Sequence, residues 1–215
     1  MRKDAEFKEV NKCFFWLFIL IINLTGVLLG YAMAYNNQVE TCMNVKFGWE
    51  SIADQNKFQA YLGCVVVLGM TIGAVCGGIL MKIGRRRALI LASLLGVIGI
   101  GLTMKLDFTF LMIGRFIYGF SVGLYSSIVP RFIEEESPSH LYDQVAPTYC
   151  FSQTVGTICA YFLGAILPAD DDTEALLETN RWLVIYAYFP LALYFLTIIS
   201  FIFIVKYEPV KYSIK

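Results

Sequence analysis

The sequence predicts an all-α integral membrane protein with six transmembrane helices. Three observations lead there. The 215 residues are 58% hydrophobic and only 16% charged, against about 25% charged in an average soluble domain. Apolar stretches of about 20 residues, long enough to cross a bilayer as helix, recur six times. Lysine and arginine gather in the segments that would lie on one side of such a bundle. The formal net charge is zero, which argues against a nucleic-acid partner.

The first span is expected at about 13–35. It is too long for the apolar core of a signal peptide and has no clear small-residue cleavage site. It carries Gly26 and Gly30. The second, at about 59–81, holds Gly69, Gly73 and Gly77, a double small-xxx-small stripe that allows close backbone approach in lipid. A short third span at about 88–104 follows the cationic stretch Arg85-Arg86-Arg87. The fourth, at about 108–130, contains Arg115 and a further glycine pair, Gly119 and Gly123. The stripes are read as helix-packing surfaces. The fifth span, at about 145–168, begins near Pro147. The sixth, at about 182–205, contains Pro190, whose freed backbone groups need neighbouring helices or polar side chains. Trp16 and Trp182, near span ends, are placed as interfacial anchors.

An even number of spans puts both termini on one side. Twelve of the seventeen basic residues fall in the tails, the 2–3 loop and the 4–5 loop, four lie opposite, and Arg115 stays in the membrane. By the positive-inside rule that is the inner side. The acidic stretch Asp170-Asp171-Asp172 with Glu174 then faces outward as a solvated loop, since it lacks an EF-hand pattern. Of the six cysteines, only Cys42 falls in a predicted loop. Cys13, Cys64, Cys76, Cys150 and Cys159 read as small buried hydrophobes. No nucleophile–base pair, phosphate loop or metal cluster stands out, so the chain is read as a non-enzyme without metal or cofactor, structural lipids aside.

Four motifs occur in order. Span 1 carries "GYAMAYNN", the 2–3 loop "GGILMKIGRRRAL", the fourth span "GRFIYGFSVGLYSSIVPRFIEEESP", and the C-terminal segment "EPVKY". Together they resemble the N-terminal half of the sugar porters of the major facilitator superfamily. The resemblance implies half of that fold: two inverted three-helix repeats, with solute bound near the midplane against a second, similar half. It also implies an inner charge cluster of Arg85, Arg86, Glu135, Glu208 and Lys211. The family's acid and arginine in the loop motif are Met81 and Lys82 here, and a later arginine is Tyr142, so this cluster is thinned.

Arg115 matches a helix-four arginine that, in proton-coupled members, pairs with a helix-one aspartate. That position is Ala32. An arginine within a span costs about 2.5–3.5 kcal/mol on insertion scales and faces a partner or water. A backbone carbonyl, Asn23, Tyr31, a partner chain or the interface are the candidates. Proton symport by the family route is therefore not expected. The family's helix-five glutamine falls at Cys150, a poor partner for a hydroxyl, with Gln153 three residues on. Arg115, Tyr31, Asn36 and Gln153 are the candidate residues of a substrate pathway.

Two functions remain open. The sequence reading leans to a transport-inactive structural subunit of a larger membrane assembly, such as a respiratory-chain complex. The half length, Ala32, Cys150 and the thinned cluster motivate this. The mitochondrial inner membrane is then the expected location and the plasma membrane the alternative. Its partners would be membrane lipid and protein subunits on the face that a second half normally covers. The alternative is a half-transporter that dimerises to carry a hexose-like solute by facilitated diffusion. A third account is that the chain is a fragment of a longer frame.

Overall fold

The computed structural model describes residues 12–49, 51–105, 107–137, 139–167 and 179–203. Six α-helices follow one another: α1 Lys12–Phe47, α2 Ile52–Leu80, α3 Arg85–Thr103, α4 Phe108–Glu136, α5 Ser139–Gly164 and α6 Thr179–Phe203, with a 3-10 turn, Met81–Ile83, between α2 and α3. All except α5 are long and apolar enough to cross a membrane. The hydroxyl and amide residues Thr148, Ser152, Gln153, Thr154 and Thr157 dilute α5.

Several boundaries differ from the sequence expectation. With 36 residues α1 is about 54 Å long, against about 30 Å of hydrocarbon. It continues past the apolar run through polar residues as far as Phe47. It stops at Gly48, which has φ +66°. There the Trp49 amide donates to the Asn44 carbonyl at 3.0 Å and the Gly48 amide to Val45 at 3.3 Å, a Schellman ending that needs a left-handed residue. Cys42, expected in a loop, therefore lies inside α1 and is buried. Cys64 and Cys150 are exposed rather than buried, because a helix in lipid turns apolar side chains outward as readily as inward. α5 begins two turns before Pro147, which sits within the helix. Arg131 and Glu135 continue α4 instead of forming a loop. Gly84, at φ +111°, makes the turn into α3 that a side chain would strain.

The main helix contacts are α2 with α4, α1 with α5, α3 with α4, α1 with α6, α3 with α6, and α1 with α4. Exchanging α1–α3 for α4–α6 maps these pairs onto one another, so two three-helix repeats build the bundle. α1 and α4 are the most enclosed spans and α2 the least. Two apolar cores stack along α1. One gathers Phe15, Phe18, Phe132 and Phe201; the other gathers Val39, Met43, Leu62, Leu111 and Leu183.

Glycines set the α2–α4 spacing. A Cβ at Gly69 or Gly73 would overlap the carbonyl of Phe116 or Phe120, and one at Gly77 would strike the Ser127 hydroxyl. Gly119 and Gly123 meet the Val66 and Met70 carbonyls in return. The equivalent α1–α5 contact repeats the device, with Gly26 and Gly30 against Ser152 and Gln153, and Gly156 against Val27. Backbones this close gain dispersion energy that longer side chains would hold off.

Candidate functional site

Arg115 projects from α4 into the interior and is 1% exposed. Its guanidinium carbon lies 3.6 Å from the centre of the Tyr35 ring, the face-on position in which the ring quadrupole attracts a cation. None of its three guanidinium nitrogens has a hydrogen-bond acceptor among the described residues. The arginine thus finds an aromatic face on α1, which was not among the partners anticipated from the sequence.

Tyr35 is itself held edge-on by Tyr186 at 5.0 Å and by Tyr31 at 6.0 Å. The Tyr31 hydroxyl donates to the Tyr186 carbonyl, and the Tyr186 hydroxyl to the Ala160 carbonyl, both at 2.8 Å. Tyr118 donates to the Leu28 carbonyl at 3.3 Å. This tyrosine cluster ties α1, α4, α5 and α6 around one cation. Tyr31 is fully buried, and its hydroxyl is committed to α6.

A second polar cluster lies between α3, α4 and α6. Ser93 shares a 2.6 Å hydrogen bond with Tyr125, and Ser121 shares a 3.0 Å bond with Tyr194 while donating to the Ala92 carbonyl. Scattered Ser and Tyr within apolar runs were its only sequence signal.

Beside α1 lies an open cleft of about 410 Å³ shared with α2. Ala32, Asn36 and Glu40 line it from successive turns of α1, and Gln59, Gly63, Val66 and Met70 line it from α2. Of the sequence candidates only Asn36 lies here. Its Oδ1 is buried and has no hydrogen-bond partner among the described residues. Gln153 is half-buried on α5, its carbonyl against Gly30. Cys150 points outward. The four candidates therefore do not converge on one point. Glu40, Gln59 and Tyr35 were missed. Glu40 lay in a stretch read as loop and Gln59 at the first residue of the expected second span, and the aromatic partner of Arg115 has no sequence spacing that reveals it.

At the other end of the bundle Arg85 pairs with Glu135. Each charge is poorly placed for its own helix dipole, a cation at the α3 N-terminus and an anion near the α4 C-terminus. Pairing offsets both. Arg86 donates through Nε to the Phe201 carbonyl at 2.8 Å and through Nη2 to Ile202 at 2.7 Å, so it caps the last turn of α6. Glu208 and Lys211 lie outside the described residues.

A six-helix membrane bundle with internal two-fold repetition and a charge in its fourth helix defines the class: half of a major facilitator fold. Residues 18–206 match the family described as sugar (and other) transporter. The chain belongs to that family, one of transporters rather than enzymes. It is 28% identical over 152 residues to sugar transporter ERD6-like 6 of Arabidopsis thaliana, covering 70% of this chain and 30% of the relative. It is 36% identical over 152 residues to D-xylose-proton symporter-like 2 of the same plant, covering 66% and 29%. The inward-open xylose transporter XylE of E. coli superposes with a TM-score of 0.73 at 22% identity, over 87% of this chain and 47% of that one. A proton:xylose symporter XylE structure bound to 6-bromo-6-deoxy-D-glucose gives 0.75 at 21%, over 92% and 45%. The chain thus spans about 30% of the length of these curated relatives and about half of the solved chains. Neither the fold nor these matches is specific to a respiratory complex or to the mitochondrial inner membrane.

Proposed function

We propose that the chain is one half of a solute carrier, which joins a second six-helix unit to pass a hexose-like solute by facilitated diffusion. The observation that carries this reading is the sugar-transporter family match over 18–206, together with a bundle that keeps the whole six-helix half. It favours the carrier over the structural subunit to which the sequence alone leaned. Relatives named for sugar, xylose and myo-inositol transport set the solutes to try first. The second unit would cover the outward apolar rows of α2 and α5, such as Val67, Val75, Phe151 and Phe162. Lipid would cover the remaining apolar surface, and the Arg85–Glu135 end would face the cytoplasm by the positive-inside rule.

Facilitated rather than proton-driven passage follows from Arg115. It faces an aromatic ring, and Ala32 occupies the helix-one position where a coupling carboxylate would sit. The test is uptake of radiolabelled D-glucose, D-xylose and myo-inositol in hexose-uptake-deficient yeast. The chain is expressed alone and linked to a second copy. Saturable entry that a proton ionophore leaves unchanged is the expected result. Ionophore-sensitive entry would refute the facilitated mechanism. No saturable entry from folded, inserted protein in either arrangement would return the chain to a structural role.

A further inference from the structure

The α1–α2 cleft has a composition the carrier reading leaves unused, and the inference drawn from it rests on that reading. Its lining is two-sided. Asn36, Glu40 and Gln59 supply polar groups, while Val66 and Met70 supply an apolar wall. Its volume, about 410 Å³, lies in the lower part of the range of small-molecule sites, about 300–1,000 Å³. Asn36 and Glu40 are four residues apart and therefore share a face of α1, one turn apart.

The cleft offers both acceptors and donors, since Asn37 also lines it and Asn36 Nδ2 is the atom nearest a Cβ built on Gly63. Asn36 Oδ1 is buried and accepts no bond among the described residues. Gln59 Nε2 donates to Asn44 Oδ1 at 3.2 Å and to the Glu40 backbone carbonyl at 3.5 Å. This orients the Gln59 amide and commits its donor, so its oxygen remains available to accept. The Glu40 carboxylate brings acceptor oxygens. A ligand matching this set must bring groups that both donate and accept, carry no negative charge, and show an apolar C–H face to Val66 and Met70.

We propose that this cleft is a binding subsite for a neutral polyol, in which the Glu40 carboxylate accepts hydrogen bonds from neighbouring hydroxyls, the Asn36 amide donates one, and Glu40 excludes anionic sugars. Glu40 is then the specificity-determining residue, separating hexoses from hexuronates. Gly63 keeps the cleft open. A Cβ there would lie 4.0 Å from Asn36 Nδ2, an ordinary contact, so a larger side chain fills the cleft without disturbing the helix pair.

The experiment is equilibrium dialysis of radiolabelled D-glucose, and separately D-glucuronate, against the full chain in detergent. Wild type is compared with Glu40→Ala, Glu40→Gln and Gly63→Leu, each checked for a monodisperse folded profile. Glucose should bind saturably to wild type. Glu40→Ala should weaken it about tenfold, as expected for a lost hydrogen bond to a charged group, and Gly63→Leu should abolish it. Glu40→Gln should narrow the discrimination against glucuronate at least tenfold. Absence of saturable glucose binding to folded wild type, or binding indifferent to Glu40→Ala and Gly63→Leu, overturns the subsite. Binding that depends on Glu40 without uptake in the yeast assay would sink the carrier and leave the subsite standing. Uptake indifferent to both positions would do the reverse.

Discussion

Replacing Arg115 with methionine should stabilise the bundle, by an amount that follows from its surroundings. A guanidinium within a span costs about 2.5–3.5 kcal/mol on insertion scales. The compensation visible here is one cation–π contact with Tyr35, about 2 kcal/mol when desolvated. No acceptor among the described residues meets its nitrogens. Methionine keeps an unbranched apolar stem in the same packing space, so Arg115→Met should gain about 1 kcal/mol. An arginine in a buried ion pair behaves oppositely, because its loss strands a charged partner at about 3–5 kcal/mol. The sign therefore separates the two environments. SDS titration in mixed micelles, followed by tryptophan fluorescence, measures it. Tyr35→Ala, which truncates a buried aromatic, should cost about 3–5 kcal/mol in wild type and about 2 kcal/mol less in the Arg115→Met background. A loss of 3 kcal/mol or more in Arg115→Met would show that Arg115 has a charged partner, and would refute this reasoning.

Other perturbations test the packing and the charged end. Gly73→Leu must push α2 from α4, since even a Cβ would overlap the Phe120 carbonyl. It should cost about 3 kcal/mol, the upper part of the overpacking range, and shift the protein to aggregate on size exclusion, whereas Gly78→Leu, with open space, should be silent. Arg86→Ala removes two bonds from the end of α6 and should cost about 1–3 kcal/mol. Hydrogen exchange should quicken in the last turn of α6, and lysine should restore it only in part. Arg85 and Glu135 are 33% and 39% exposed, so reversing either charge should cost about 1 kcal/mol or less after solvent screening. The double exchange Arg85→Glu with Glu135→Arg should recover the loss in thermal melts.

The six helices were legible because a chain in lipid must satisfy its backbone within each segment, and apolar length reports that directly. The glycine stripes could be seen in the same way. Their spacing marks a flat helix face, but not which face it meets. Only the bundle pairs Gly69 and Gly73 with Phe116 and Phe120, and Gly26 and Gly30 with α5. The end of α1 was misjudged because hydropathy falls at Asn36, while helical hydrogen bonding continues to the left-handed Gly48.

The candidate site was less legible. An intramembrane arginine announces itself in any sequence, and Ala32 shows that one expected partner is missing. That the cation settles on Tyr35, and that Glu40 and Gln59 share a cleft with Asn36, depends on how α1 sits against α4 and α2. Apolar length and small-residue spacing are local and periodic, so the sequence by itself determined the number of helices and their contact faces. The partner of Arg115 and the shape of the cleft were decided by tertiary packing, because they join side chains on separate helices whose relative rotation no local pattern encodes.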